Sequence, residues 1–492
     1  MGLLSNKTLD KTLKKSILEI LESKIKGEIL NKKFHKEFYS VDSSSYQIIP
    51  KIIIIPNNEE DIIKTIKIAK KFKTSVTVRG AGTGLVGSAL NRGIIIDMKK
   101  FNSIKLNKKS VVVGSGTLKG KLDQVLDKNK KFFPPNPSIG SFCSIGGMLG
   151  NNSSGSRSIK YGSMIDNVSE ITFIDGKGEK ITLPKNKKIG KKIFKNIKLD
   201  KNKIPKTSKN SSGYRIDKIT SEKNSHKIII GSEGTLGIIL SAKLDIIDKP
   251  KKRILFVIEY ESIFEAAKNS LEINKTGPST LEFIDKNTLK QIKFNFSKNA
   301  KCLLFVEYDE KIEKSEKELR IKNSGKIIQK LTTNQNMTKW WRYRDSSLHY
   351  SLKSIKKEKK IPHIIEDAAV PLEMVPRLFS ILKKIEKKYK TEIISYGHIG
   401  NGNIHVRLIM EKKKIQTIKN IATQYFTEII KNRGTISAEH GDGLARSEFV
   451  KQQYGEKNFQ TFKKIKQQMD PNQILNPGKI ISKKSTIVEN LI

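Results

Sequence analysis

The sequence predicts an α+β protein of two or three domains, and three observations carry that reading. Short apolar strands alternate with helical spacing near the N-terminus. Glycine-rich loops then break the alternation where a βαβ unit would need a helix. After Pro250 the texture changes to strands and helices that reach about residue 435. A chain of 492 residues, 36% hydrophobic and 29% charged, has the material for a substantial core.

Taken in order, residues from about 8 to 35 read as an amphipathic helical segment. Lys51 to Ile55 reads as a buried strand ended by Pro56. A helix follows, with Asn58 as N-cap and Ile62, Ile66, Ala69 and Phe72 at helical spacing. Ser75 to Arg79 is the next strand and runs into the loop Gly80 to Gly87. Gly82-x-Gly84-x-x-Gly87 matches the dinucleotide fingerprint. However, Asn91-Arg92-Gly93 turns the chain and a strand at Ile94 to Asp97 starts at once, leaving no room for the crossover helix. The loop is therefore expected to cradle phosphates through backbone N–H groups outside a Rossmann fold. The plain alternative is a tight glycine turn without a ligand. A second irregular region runs through Phe133 to Ser138, Cys143 to Met148, Asn151 to Gly155 and Lys160 to Gly162. Long loops inside compact domains are usually functional. Further strands are expected at Ile171 to Ile174 and Ile228 to Ile230. The lysine-heavy stretch from about Lys185 to Lys209 reads as an exposed insertion. Gly231 to Ile238 is a third glycine-rich turn before a strand. Beyond Pro250, strands fall at Ile254 to Tyr260 and Cys302 to Glu307. The end of the chain is mostly helical and closes on Asp470 to Lys479.

Lys and Arg number 95 against 49 Asp and Glu, a formal charge of +46. A nucleic-acid binder is the sharp reading of that excess. The lysines are scattered over the whole chain and are not interleaved with aromatics in one module, so a compositional bias toward Lys, Ile and Asn on solvated faces is preferred. Weak attraction to anionic membrane surfaces stays open. Cys143 and Cys302 cannot build a disulfide framework or a cysteine-ligated iron–sulfur cluster, which points to a reducing compartment. The start, Met1 to Lys7, has no signal-type apolar core, and no apolar run reaches the ~18 residues of a membrane span.

The chain has seven histidines. His398 and His405 flank Asn401-Gly402, the strongest short signal for a two-residue hairpin loop. Folding about that dipeptide pairs Gly400 with Asn403, Ile399 with Ile404 and His398 with His405. Directly opposed residues have Cβ atoms roughly 4.5–5.5 Å apart, which is chelating distance for a divalent metal. A third histidine, His440, follows Glu439 in the Thr435 to Gly443 segment. Two ordinary strand histidines are the alternative.

Eight motifs in one order resemble the FAD-binding oxidoreductases of the vanillyl-alcohol-oxidase (PCMH) type. They are Val78 to Gly84, Cys143 to Gly147, Lys160-Tyr161-Gly162, Gly231 to Gly237, Trp341-x-x-Arg344, Gly397 to His405, Glu439-His440-Gly441 and Asn476 to Lys479. The match covers roughly residues 40–483. The similar branch is the D-lactate dehydrogenase, glycolate oxidase flavoprotein and D-2-hydroxyglutarate dehydrogenase group. The resemblance implies an N-terminal helical segment (1–40), a two-subdomain FAD-binding domain (41–248), an α+β cap with an antiparallel sheet and the metal site (249–440), and a C-terminal helical segment contacting FAD (441–492). It implies cofactor contacts at Arg79, Gly80, Ala81, Gly82, Thr83, Gly84, Pro135, Ser144, Gly146, Gly147, Asn151, Ser154, Gly155, Tyr161, Gly162, Glu233, Gly237, Ile238 and Asn476. His398, His405 and Glu439 are implied as ligands of a divalent metal, Zn or Mn. His440 is implied as the catalytic base and Arg344 as the clamp on the substrate's carboxylate.

These residue types suit oxidation of a 2-hydroxy acid. A metal lowers the hydroxyl pKa, a neutral histidine accepts the proton, and an arginine fork matches a carboxylate. In an extended segment Arg342 and Arg344 share a face, so spacing cannot choose between them; the resemblance chooses Arg344. The glycine loop lacks the histidine that covalent members carry, so FAD is expected to be noncovalent. No cysteine-rich region follows Lys479, so electrons are expected to pass to a separate acceptor: an iron–sulfur subunit, an electron-transfer flavoprotein, a cytochrome or a quinone. The segment Ile364 to Pro371 matches the family's acidic-to-proline stretch, but no lysine stands just before Asp367 to hold a second carboxylate. That favours D-lactate or glycolate over D-2-hydroxyglutarate. The expected protein is cytoplasmic, at most peripheral on the inner face of a membrane, with a homodimer left open. Rival readings are a direct oxidase, an alkyl-ether lipid synthase type of flavoenzyme, and a basic nucleic-acid-binding protein without catalysis.

Overall fold

The computed structural model describes residues 17–290, 292–347, 359–360, 363–411, 415–482 and 484–492. Four parallel or antiparallel strands form the first sheet: β1 (Glu28–Leu30), β2 (Ile52–Ile55), β3 (Val76–Arg79) and β4 (Ile94–Asp97), in the order β1-β2-β4-β3. β4 runs parallel to both β2 and β3. Parallel strands are buried on both faces, which is why these read as continuous isoleucine runs; Ile53, Ile54, Ile95 and Ile96 are all fully buried. The helix Glu59–Lys71 crosses from β2 to β3. Asn58 caps it by accepting from Asp61 N at 3.0 Å, and Ile62, Ile66 and Ala69 face the sheet. No helix lies between Gly80 and β4.

The next seven strands are β5 (Ile104–Leu106), β6 (Ser110–Gly114), β7 (Lys131–Phe132), β8 (Val168–Ile174), β9 (Lys180–Leu183), β10 (Ile238–Asp245) and β11 (Ile247–Asp248). Five of them make an antiparallel sheet, β5-β6-β10-β8-β9, and β7 pairs with β11. The remaining strands are β12 (Ile254–Tyr260), β13 (Thr280–Asp285), β14 (Cys302–Tyr308), β15 (Lys326–Leu331), β16 (Lys359–Lys360), β17 (Glu392–His398) and β18 (Asn403–Glu411). They form one antiparallel sheet in the order β15-β12-β14-β13-β17-β18-β16. The helices Ile263–Asn274 and Val375–Tyr389 pack on this sheet, and one continuous apolar core joins it to the second sheet and to the C-terminal helix Val450–Met469.

Several expectations are corrected. Residues before 17 lie outside the described residues, so the first part of the expected N-terminal helix cannot be placed. The rest is helical only to 24 and then gives way to β1 and the helix Lys33–Tyr39. Ile228 to Ile230 is not a strand: Ile228 ends a 3-10 segment and the next two residues turn, all three fully buried. A short buried apolar run has no periodicity to tell a strand from a buried turn. The lysine-heavy stretch contains the helix Lys187–Asn196, with Ile193 in the core, and Lys209 at its end is 1% exposed. Trp341 and Arg344 sit on the helix Asn334–Asp345, not on an extended segment, so Arg342 and Arg344 face different ways: Arg342 is exposed and Arg344 buried.

The histidine hairpin also differs in register. β17 and β18 pair Tyr396 with His405, Gly397 with Ile404 and His398 with Asn403. Residues Ile399–Asn401 make a 3-10 turn, and Gly402 takes the left-handed conformation at φ 66°. The loop is therefore longer than Asn401-Gly402 alone, and His398 lies diagonal to His405.

Candidate active site

A cavity of about 480 Å³ opens between the glycine loops and the seven-stranded sheet. One wall is backbone. It brings together Gly80, Ala81, Gly82, Thr83, Gly84, Ser144, Gly146, Gly147, Asn151, Gly155, Glu233 and Gly237 from three separate segments. Close approach explains the glycines. A Cβ on Gly146 would lie 2.7 Å from Ser115 Cβ, and one on Gly82, at φ 71°, would collide with the Arg79 guanidinium. Ser144 caps the helix Ile145–Asn151 by accepting from Gly147 N. Arg79 lies behind the loop, 7% exposed, with Nη1 buried and, among the described residues, without a hydrogen-bond partner. A buried guanidinium beside a glycine loop suits an anionic phosphate-bearing ligand.

The remaining residues expected at the cofactor stand behind this wall. Pro135 is buried beside it. Tyr161 gives its hydroxyl to Asp309 Oδ2 at 2.6 Å, and burial with that carboxylate pushes its pKa up to about 12. Gly162 ends the short helix Ser158–Tyr161 at φ 75°. Ile238 is core at the head of β10. Asn476 donates to Glu233 O at 2.6 Å and Ser88 O at 2.9 Å, tying the C-terminal segment to two loops of the wall. Ser154 turns away from the glycine wall and donates to Glu439 Oε2 at 2.6 Å.

The opposite wall is made of side chains. Glu439 is its centre. Its Oε1 lies 3.3 Å from His398 Nε2, 3.2 Å from His405 Nε2 and 3.5 Å from His440 Nε2. The rings of His398 and His405 are 5.1 Å apart, and those of His405 and His440 stack at 5.3 Å. Asp367, His405, Glu439 and His440 each offer a ligand atom, all within 4.8 Å of one another. The far ring nitrogens are held: His398 Nδ1 lies 2.6 Å from Glu282 Oε1, and His405 Nδ1 is 3.3 Å from Glu366 O. Two imidazoles converging on a carboxylate, each oriented through its second nitrogen, fit a divalent cation.

Around this centre lies a shell that sequence reasoning missed. Lys209 donates to Glu439 Oε2 at 3.1 Å and to Asn403 Oδ1 at 3.3 Å. Burial opposes charge on Glu439, but Lys209 and His398 hold its pKa well below the carboxylate norm. Glu282 bridges His398 to Arg344, whose Nε donates at 2.7 Å; against its burial, the Arg344 guanidinium and the hydrogen bond to His398 hold Glu282 down to about 2. Glu366 lies 2.5 Å from His440 Nδ1 and accepts from Arg446 Nη2 at 2.9 Å. Burial opposes the charge on His440, but Glu366 and Asp367 raise its pKa well above 6.5. Asp367 Oδ2 accepts the backbone N–H groups of Ala438, Glu439 and His440 in succession. Arg407 gives Nε to the Tyr396 hydroxyl at 3.1 Å. The signal for the acids was present in Glu366-Asp367, two carboxylates inside an otherwise apolar run. For Lys209 no local signal distinguishes it from its exposed neighbours.

Residues 50–184 match the FAD binding domain family, and residues 249–480 match the C-terminal domain of FAD linked oxidases. The glycolate oxidase subunit GlcD of Bacillus subtilis is 28% identical over 90% of this chain and 92% of its own length. A D-lactate dehydrogenase of Archaeoglobus fulgidus is 25% identical over 88% of this chain and 91% of its own. The fold is shared with solved alkyldihydroxyacetonephosphate synthase, at a TM-score of 0.67 and 16% identity over 94% of this chain and 86% of that one. A glycine-lined cavity between two matched flavoprotein domains, in a chain that aligns with such relatives over nearly its whole length, places this protein in the FAD-linked oxidase family: it is an FAD-dependent oxidoreductase.

Proposed function

We propose that the protein is a dehydrogenase of a D-2-hydroxy acid, yielding the 2-oxo acid. The observation that carries the reading is the convergence of His398, His405, His440 and Glu439 on the cavity wall that faces the glycine loops. In this reading residues 41–248 hold FAD noncovalently, 249–440 form the cap, and 441–492 close on the cofactor. FAD bound along the glycine wall supplies the two-electron hydride acceptor. His398, His405 and Glu439 would hold a divalent cation, Zn or Mn, which supplies Lewis acidity toward the hydroxyl and carboxylate.

The chain's own groups do the rest. His440 keeps Nδ1 against Glu366, so Nε2 is the nitrogen left to take the hydroxyl proton. The same carboxylates favour its imidazolium. Since those carboxylates hold the proton on the ring, turnover should climb with pH. Arg344 donates Nε to Glu282 and, lining the cavity, would meet the substrate's carboxylate with its terminal nitrogens. Electrons would then pass to a separate acceptor, such as an iron–sulfur subunit, electron-transfer flavoprotein, cytochrome or quinone.

The test is anaerobic flavin bleaching by a panel of D- and L-2-hydroxy acids, followed by turnover with a dye acceptor. Bleaching by one D-acid and not its L-enantiomer is expected, and acid precipitation should release the yellow cofactor. Bleaching by none of them would end the reading.

A further inference from the structure

Glu439 uses its two oxygens differently. Oε1 faces imidazoles: His398 Nε2 at 3.3 Å, His405 Nε2 at 3.2 Å and His440 Nε2 at 3.5 Å. Oε2 instead accepts the Ser154 hydroxyl at 2.6 Å and the Lys209 ammonium at 3.1 Å. A buried carboxylate needs a counter-charge, and one cation beside it would serve that need alone. The need for charge does not explain why the hydroxyl and the ammonium share one oxygen and leave the other to the histidines.

The two donors are built in. Ser154 and Lys209 are each 1% exposed. Lys209 also donates to Asn403 Oδ1 at 3.3 Å, on the strand that carries His405. The loop after Lys209 is stitched to the loop around Glu439. Ser211 N donates to Ser437 O at 2.9 Å, Ser211 Oγ to Ala438 O at 2.9 Å, and Gly213 N to Asp442 Oδ2 at 2.7 Å. The backbone on both sides of the pair is thereby held in register.

The split has a chemical consequence. A carboxylate free at both oxygens can grip one cation with both, and carboxylate-rich sites suit oxygen-seeking ions such as Ca²⁺ and Mn²⁺. With Oε2 occupied, Glu439 offers one oxygen beside the two imidazole nitrogens of His398 and His405. That donor set is richer in nitrogen and suits ions that take imidazole readily, such as Zn²⁺.

Resting on the cation site of the reading above, we propose that Ser154 and Lys209 are positioning residues that restrict Glu439 to a single ligating oxygen and so tilt the site toward imidazole-seeking over oxygen-seeking ions. Lys209 has a second effect. Its positive charge opposes every divalent cation alike, so it lowers affinity in general, whereas the blocked oxygen changes the ratio between ions.

The test takes flavin-loaded protein stripped of metal by a chelator and compares the wild type with Ser154→Ala and Lys209→Met. Each is titrated with Zn²⁺ against a chromophoric chelator and with Mn²⁺ by electron paramagnetic resonance of the free ion. Zinc outbinds manganese at most sites of this kind, so the change in the ratio is the measure. Both variants should lower the Zn²⁺:Mn²⁺ affinity ratio, Lys209→Met by about 10-fold, the scale of a lost partner of a metal ligand. Lys209→Met should also tighten both ions, and Ser154→Ala, which changes no charge, should not. A ratio unchanged in both folded, flavin-loaded variants overturns the inference. Should Lys209→Met fail to fold, Ser154→Ala decides alone, and an unchanged ratio there also overturns it. Ions bound equally well after replacing both His398 and His405 by Ala would overturn the inference together with the cation site it rests on. The expected change of ratio in a protein whose flavin no hydroxy acid reduces would support the inference and end the reading of the reaction alone.

Discussion

The two walls of the cavity are built from different materials. The glycine wall is backbone, and part of its shape is set by residues close in sequence: Ser144 caps its own helix, and Gly82 turns over Arg79 three residues away. The histidine wall is buried charge, and its members arrive from distant segments: Glu282, Glu366, Arg344, His398, Glu439 and, from the other half of the chain, Lys209. The difference teaches that backbone geometry can present a cofactor surface with little electrostatic support. A cluster of carboxylates and imidazoles needs every partner in place, because a buried charge left alone is strongly unfavourable.

Substitutions on the two walls should therefore separate. Replacing both His398 and His405 by Ala is expected to lower turnover about 10³-fold or more, since a bound cation is worth several kcal/mol at the transition state. Flavin should stay bound, and metal analysis should show the loss; equal metal in mutant and wild type would remove the histidines from the site. Glu282→Gln should be milder. It keeps the shape but weakens the hold on His398 and Arg344, so metal affinity should fall about 10–100-fold by competition with a chelator. Gly146→Val tests the other wall. Its Cβ would press on Ser115 at 2.7 Å, an overpacking worth about 1–3 kcal/mol. The flavin-to-protein ratio should drop while metal content holds, and the reverse pattern would erase the distinction between the walls.

A last effect lies away from both. His226 is 5% exposed, and burial lowers its pKa to about 4 from 6.5. The folded state then binds fewer protons than the unfolded state between those values. Its contribution is constant above pH 6.5 and is lost as pH falls toward 4, by roughly 3 kcal/mol in all. Urea midpoints at pH 7 and pH 4.5 should differ more in the wild type than in His226→Gln; equal differences would mean that other groups govern acid sensitivity.

How legible each wall was in the sequence follows from the same contrast. The helix after β2 and the glycine loop could be read because Asn58, the apolar spacing and the following strand are local facts. The histidine pair was found through Asn401-Gly402 although the register was wrong. The observed pairing shifts by two residues, and because strand side chains alternate with period two, such a shift leaves both imidazoles on the same face. A shift of one would have hidden the site. Arg344 was selected by resemblance, since the extended backbone assumed for it gave no reason to prefer it to Arg342; the helix supplies that reason. Lys209 was misread as an exposed lysine because its burial is decided by Glu439, 230 positions away.

The grip on Glu439 Oε2 has a consequence for how the molecule comes to life. Ser154 and Lys209 reach it across 285 and 230 residues. Closing loops of that length comes late in folding. A ribosome must release nearly the whole chain before the carboxylate meets its holders. During refolding, helical signal should recover well before uptake of the proposed cation, which would make the last event of folding the first moment of competence.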